Sequence, residues 1–301
     1  SNGGFVATWR TSDTSQDGSG SAIKAQVFDA AGAAVGPEFL VNSETVQNQT
    51  VPAVTGLNDG RFVVTWQTDD TAQDGSSNAI KAQVFDAAGT PVGGEFLVNS
   101  ETYDRQAAPE ISALTTGGFA VTWSTSDGTQ DGSISAIKAR TFDAAAQPVG
   151  AEFLVNTAAQ GSQIEPRVAG LTNGGLVVTW RTNYRPDDGS TSAIKAQIIS
   201  AAGFPVGGEF LVNTETAGGQ YRPAVTGLTG GRFVVTWDTK NVWQDGDGFA
   251  IKAQIYEASG APVGGEFLVN TESVEHQYEP EITALSDGGF VITWYTEDYK
   301  Q

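Results

Sequence analysis

The chain has 301 residues, 39% of them hydrophobic, with 37 Gly, 11 Pro, no Cys and no Met. That length can bury a substantial core as one all-β domain, and the lack of Cys removes disulfides, thiol chemistry and cysteine-metal sites together. A net charge of −19, from 35 acidic and 16 basic residues, repels phosphate backbones and anionic lipid, so nucleic acid and membrane insertion are excluded and cation binding is favoured.

The chain opens on an extended stretch, FVATW at 5–9, and its Trp returns as Trp66, Trp123, Trp180, Trp237 and Trp294, each 57 positions after the last. A fixed period decides architecture before any local motif does. After FVATW come the turn QDGS, the stretch AIKAQVFD from Ala22, the turn DAAG, EFLVN from Glu38, and a Pro-led stretch, PAVTGL, from Pro52. Val, Ile, Phe, Thr and Trp alternating with period two predict strands, and the Gly-rich breaks predict turns. No segment carries a helical period. No leader or membrane-spanning apolar run is visible, and a start without Met points to a mature or excised segment.

Four antiparallel strands per repeat predict a β-propeller blade, with the Pro-led strand innermost and EFLVN outermost. A linear β-solenoid ranks second. Pro52, Pro109, Pro166, Pro223 and Pro280 lead five such strands, but there are six TW strands. The expectation is therefore a single domain over 1–301, an all-β propeller of five four-stranded blades. PEITAL at 280–285 would close it by pairing with FVATW, protecting the open edges. The surplus FVITW marks a piece of a longer array.

The repeated Trp is expected to fill the gap against the next blade rather than to stack on a sugar. Lys24, Lys81, Lys138, Lys195 and Lys252 fall opposite the Trp, within reach of a cation–π contact. Glu38, Glu95, Glu152, Glu209 and Glu266 recur too evenly to form one active site. Asp13 and Asp17, Asp70 and Asp74, and Asp127 and Asp131 form pairs in the first three repeats, each second Asp followed by Gly, spaced as oxygen ligands for Ca²⁺ or as plain Asp-Gly turns. His276 is the only histidine, and no nucleophile, zinc or phosphate motif occurs.

The string GGFVVTW, QDGS, AIKAQVFDAxG, GxEFLVNT and QxxP resembles a repeat of very large secreted bacterial RTX-type and adhesin-like proteins, across all five repeats. The resemblance implies an extracellular or cell-surface location. The GGxGxD calcium nonapeptide is absent, so calcium binding does not follow from the resemblance.

Comparing the repeats with one another, the differences gather in two loops, TW to AIKA and LVN to Pro, which leave the same face of the sheets. Tyr103, Arg105, Tyr184, Arg185, Tyr221, Arg222, Trp243, Phe249, His276 and Tyr278 lie there. Aromatics interleaved with Arg suit an extracellular glycan or protein surface. The expected function is a non-enzymatic adhesive or ligand-binding module, with a sugar-binding lectin-like propeller next and a polysaccharide-acting enzyme third. Assembly state is not legible.

Overall fold

The computed structural model describes residues 3–297 except 16, 17, 19, 73, 74, 76, 130, 131, 184–188, 241–247 and 272–275. Among the described residues every regular element is a strand, apart from one 3₁₀ turn at Thr229–Gly231. The chain divides into two compact units, residues 1–127 with 138–154, and residues 128–137 with 155–301.

The first unit opens with β1 (Phe5–Thr11), β2 (Ala22–Phe28) and β3 (Phe39–Leu40) in a three-stranded sheet. Two four-stranded sheets follow. One holds β4 (Gln49–Gly56), β5 (Phe62–Thr68), β6 (Ala79–Phe85) and β7 (Pro91–Leu97), and the other holds β8 (Gln106–Ala113), β9 (Phe119–Thr125), β10 (Ala136–Phe142) and β11 (Phe153–Leu154). The second unit has β12 (Gln163–Gly170), β13 (Leu176–Thr182), β14 (Ala193–Ile199) and β15 (Pro205–Leu211), then β16 (Gln220–Gly227), β17 (Phe233–Thr239), β18 (Ala250–Tyr256) and β19 (Pro262–Leu268). It ends with a pair, β20 (Gln277–Ala284) and β21 (Phe290–Thr296). All pairings are antiparallel between consecutive strands.

The expected closing pair of β20 with β1 is not formed. β20 pairs with β21 instead, and β1 has only β2 beside it. A hairpin closed by one short turn loses far less chain entropy than a pairing across the whole chain. The inner strands also begin earlier than their prolines, at Gln49, Gln106, Gln163, Gln220 and Gln277. Proline stands inside each of them at a β-bulge, where Val51 and Pro52 together oppose Trp66. A bulge needs no ladder donor there, so the missing N–H costs nothing. The outer strands β7, β15 and β19 take in the Gly-rich PVGG segment, whereas β3 and β11, with Pro37 or Ala151 as the second residue of that GG pair, shrink to two residues.

The Trp side chains are fully buried at 66, 123, 180 and 237. Trp66 packs on Ile23, Ala25 and Val27, and Trp123 on Ile80, Ala82 and Val84, so each fills the gap against the preceding sheet rather than the next. Each indole N–H donates to the Gln that starts its inner strand, at 3.0 Å for Trp66–Gln49 and 2.8 Å for Trp123–Gln106. The Asn of LVN accepts the amide of the third strand's Ile, as Asn99 does from Ile80 at 2.8 Å.

The repeated Lys stands opposite Trp in register, Trp66 with Lys81, but its ammonium binds the repeated Glu of the outer strand. Lys138 meets Glu152 at 2.5 Å and Lys195 meets Glu209 at 2.8 Å. The second oxygen of Glu152 accepts the amides of Ser100 and Glu101 in the linker from the preceding sheet, at 2.6 and 3.3 Å. Glu209 does the same for Thr157 and Ala158. The evenly spaced Lys and Glu are thus ties between successive sheets.

Candidate functional site

The bulges carry the chemistry. In each inner strand the residue before proline takes a left-handed backbone, Val51 at φ 51°, Ala108 at 52°, Glu165 at 56°, Arg222 at 48° and Glu279 at 56°. That conformation is sterically costly for a side chain with a Cβ, and a following proline restricts it further. Strain of this kind persists where the surroundings over-determine it. The first unit puts apolar Val51 and Ala108 at this place. The second unit puts Glu165, Arg222 and Glu279 there, on the adjacent inner strands β12, β16 and β20.

Beside each bulge, paired with the residue just before it, stands the residue after the Trp, and its contact with the left-handed residue comes in two opposite polarities. Arg181 donates to both oxygens of Glu165, at 2.7 and 3.0 Å. Arg222 instead donates to Asp238, at 2.7 Å. The Arg222 amide also reaches Glu165 at 3.1 Å, and its guanidinium lies 3.9 Å from Glu279. Arg222 therefore sits between two carboxylates that water can reach, the Glu165 side chain 35% exposed and that of Glu279 63%. Asp238 below them has a fully buried side chain whose Oδ1 has no hydrogen-bond partner. Burial pushes its carboxyl up to about 7, with the neighbouring Arg222 pulling the other way.

An aromatic wall flanks these charges. Phe249 makes edge contacts with Tyr221 at 5.7 Å, His276 at 5.7 Å and Tyr278 at 6.4 Å between ring centroids. Arg181 covers the Tyr221 ring and Arg222 the Tyr278 ring, both at 5.4 Å. The Tyr278 hydroxyl donates to Glu297, which pushes its pKa up to about 12.

The structure thus gathers Tyr221, Arg222, Phe249, His276 and Tyr278, five of the residues singled out in the sequence. Tyr184, Arg185 and Trp243 lie outside the described residues. Tyr103 and Arg105, in the first unit, are exposed and belong to no such cluster. Of the acidic loops, Asp13 accepts from the Ser15 amide at 3.0 Å and Asp70 from the Ala72 amide at 2.9 Å, as turn-capping side chains do. Asp127 is buried, and its amide reaches Thr125 at 3.2 Å. Asp17, Asp74 and Asp131 lie outside the described residues, and no group of metal-ligating side chains occurs among those described. Sequence reasoning missed Glu165, Arg181, Asp238 and Glu279. The signal was the first x before Pro in QxxP read across repeats: Val, Ala, Glu, Arg, Glu.

No protein-family model matches the chain, and no curated protein sequence matches it. Solved structures do. The NanB sialidase from Streptococcus pneumoniae aligns with TM-score 0.62 at 9% identity, over 99% of this chain and 64% of that chain. A protein of unknown function from Dyadobacter fermentans aligns with TM-score 0.58 at 13% identity, over 98% and 88%. The α-L-arabinanase of Penicillium chrysogenum, solved with arabinobiose, aligns with TM-score 0.55 at 13% identity, over 81% and 74%.

A sialidase and an arabinanase on this architecture overturn its reading as a non-enzymatic adhesive or ligand-binding scaffold. That reading took the lack of nucleophile and metal motifs for a lack of catalysis. Glycosidic cleavage needs only two carboxylates, and Glu165 and Glu279 approach Arg222 from strands whose bulges lie 114 positions apart, where no local motif records them. No helix among the described residues is long and apolar enough to cross a membrane. Identities of 9–13% carry a fold and not an activity, and the fold they show for this chain is the β-propeller.

Proposed function

We propose that the chain is a carbohydrate-acting enzyme that cleaves glycosidic bonds at the bulges of β12, β16 and β20. The observation that supports this most is the placement of Glu165 and Glu279 on either side of Arg222, beside the wall formed by Tyr221, Phe249 and Tyr278. Aromatic faces stack on sugar rings, and exposed carboxylates and guanidinium bind hydroxyls. One carboxyl group protonates the leaving oxygen while the other activates water or attacks the sugar carbon. The test is release of reducing ends from a panel of plant and bacterial polysaccharides, arabinan included. Glu165→Gln and Glu279→Gln should each lower turnover by about 10²- to 10⁴-fold while sugar binding persists. Absence of release from every polysaccharide, or full turnover in both variants, overturns the reading.

We also infer five blades per chain. Four are the complete sheets, and the fifth joins β1–β3 to an inner strand with the sequence of β20, which requires β1 to take the place of β21. An extracellular or bacterial cell-surface location, membership of the RTX-type repeats and Ca²⁺ at the pairs Asp13 and Asp17, Asp70 and Asp74, and Asp127 and Asp131 are further proposals. For calcium, chelation with EGTA should lower Tm and Asp70→Ala should reproduce part of the loss. Identical melting curves leave the Asp-Gly turn alone.

A further inference from the structure

The third repeat departs from the others at three positions that meet around one cavity. This cavity, of about 350 Å³, lies between the sheet of β4–β7 and the sheet of β8–β11, both in the first unit. Arg61, Phe96, Arg140, Phe142, Ala146 and Gln147 line it. Arg140 stands where the other repeats have Gln26, Gln83, Gln197 and Gln254, and Ala146 where they have Gly32, Gly89, Gly203 and Gly260. Gln147 stands where they have Ala33, Thr90, Phe204 and Ala261.

The alanine accounts for the space. Ala146 takes a left-handed φ of 59°, as the four glycines do at 78° to 85°, a conformation that costs a residue with a Cβ. A Cβ at Gly89 would lie 2.6 Å from the ring of Phe39 in the preceding sheet, and one at Gly260 would lie 3.2 Å from that of Phe210. Phe96 is the corresponding ring for Ala146. A methyl cannot come within 2.6 Å of a ring, so the turn of the third repeat stands off from Phe96. Backbone strain of this kind collects at ligand sites.

The arginines supply the charge. The Gln83 amide stays within its own sheet, donating to the Val84 carbonyl at 2.7 Å. Arg140 instead reaches the preceding sheet, where Nη1 donates to the Val98 carbonyl at 2.8 Å. Its Nε is buried without a hydrogen-bond partner, and no carboxylate pairs with it among the described residues. Arg61 reaches the other way, to the Ala144 carbonyl. The carboxylates of the adjoining turns are already engaged. Asp59 accepts from Arg61 at 2.7 Å, and Asp143 accepts from the amides of Ala145 and Gln147 at 2.9 and 2.8 Å. A partly buried guanidinium without a counter-charge is costly, and an anion in the cavity removes that cost.

We propose that this cavity binds a sugar acid, a single hydroxylated ring whose carboxylate pairs with Arg140 and Arg61. A volume near the low end for ligand pockets suits one ring. Phe96 and Pro148 offer that ring apolar faces. The Gln147 amide donates to the Ala145 carbonyl at 3.3 Å and leaves its oxygen to accept from a hydroxyl. A carboxylate matches the flat fork of a guanidinium. A net charge of −19 repels a doubly charged phosphate more than a singly charged carboxylate. Binding here needs no bond cleavage, so it goes beyond the proposed activity and does not depend on it.

Calorimetric titration of the whole chain with D-galacturonate should show saturable binding, with Kd on the order of 1 mM for a ligand of this size. D-galactose, benzoate and inorganic phosphate should bind at least about tenfold more weakly. Arg140→Gln and Ala146→Gly each install the residue of the other repeats, so both variants should fold, as melting curves will check. Arg140→Gln should weaken galacturonate binding about 10- to 100-fold. Ala146→Gly should weaken it too, by letting the turn close on Phe96 with every charge kept. Glu165→Gln and Glu279→Gln should leave it unchanged, which separates this site from the proposed cleavage. A trigalacturonate that binds as well as the monomer marks a polysaccharide unit as the ligand, and one that does not bind marks the free sugar; both agree with the site. Equal binding of galactose, benzoate or phosphate overturns the sugar-acid assignment. Undiminished binding in Arg140→Gln, or no binding by the parent, overturns the site.

Discussion

Glu152→Ala is expected to destabilise the chain by about 3–5 kcal/mol, the cost of stranding one member of a buried ion pair. The side chains of Lys138 and Glu152 are only 4% and 7% exposed, so the ammonium left behind has little access to water. The amides of Ser100 and Glu101 lose their acceptor in the same step. Lys138→Met with Glu152→Leu should recover most of the loss, because the expense lies in the unpaired charge and not in the absence of an ion pair. Urea unfolding of the three proteins measures this, and equal stabilities for the single and double variants would refute it. The same ties set the acid limit. Burial raises the carboxyls of Glu95, Glu152, Glu209 and Glu266, but the Lys and amide hydrogen bonds outweigh it and hold them below the ordinary 4.5. A depressed folded pKa contributes stability that is present above the unfolded value and lost as pH falls through the folded one. Unfolding in acid should therefore begin below about pH 4.5 and be less steep in the double variant.

Asp238→Asn is expected to act with the opposite sign. Its carboxyl rises from 3.8 unfolded to about 7 folded, chiefly through burial. The stabilisation from holding that proton is complete below the unfolded value, declines as pH rises, and is gone above about 7. An asparagine imitates the protonated acid at every pH. The variant should therefore gain on the order of 2–4 kcal/mol over the parent at pH 8, with the gain shrinking to nothing near pH 4. Thermal melts of both proteins across this range test it. A variant that is less stable at pH 8 would mean that the attraction to Arg222 outweighs the burial of the charge. The Asp238 effect develops between 3.8 and about 7 and acid unfolding sets in below 4.5, so melts above 4.5 isolate the Asp238 effect.

The two pH effects arise at places that differ in how far the sequence could announce them. Lys138 and Glu152 recur in every repeat, so repetition marks them as architecture even though their pairing was not anticipated. Asp238 occurs once. Its counterparts are Arg10, Gln67, Ser124, Arg181 and Tyr295, and only the bulge that turns Arg222 toward it gives the position a meaning. The same holds for Glu165 and Glu279, which read as ordinary acidic residues in an acidic chain.

Period, strand number and the order of strands within a sheet follow from the sequence, because alternation and Gly-rich turns are local and each repeat supplies the same local instructions. The burial of Trp66 and its equivalents follows as well, since so large an apolar ring at the end of a strand has few other places to go. Three features needed the tertiary structure. The bulge sets the direction of the residue before proline, and an extra residue in one strand becomes visible only once its partner strand is in register. The partner of β20 depends on whether a nearby β21 or a distant β1 reaches it first, a contest of chain entropy between nearly identical strands. The meeting of Glu165, Arg222 and Glu279 depends on the packing of successive inner strands, which carries residues one repeat apart in sequence into contact, Glu165 at the Arg222 amide and Glu279 at its guanidinium.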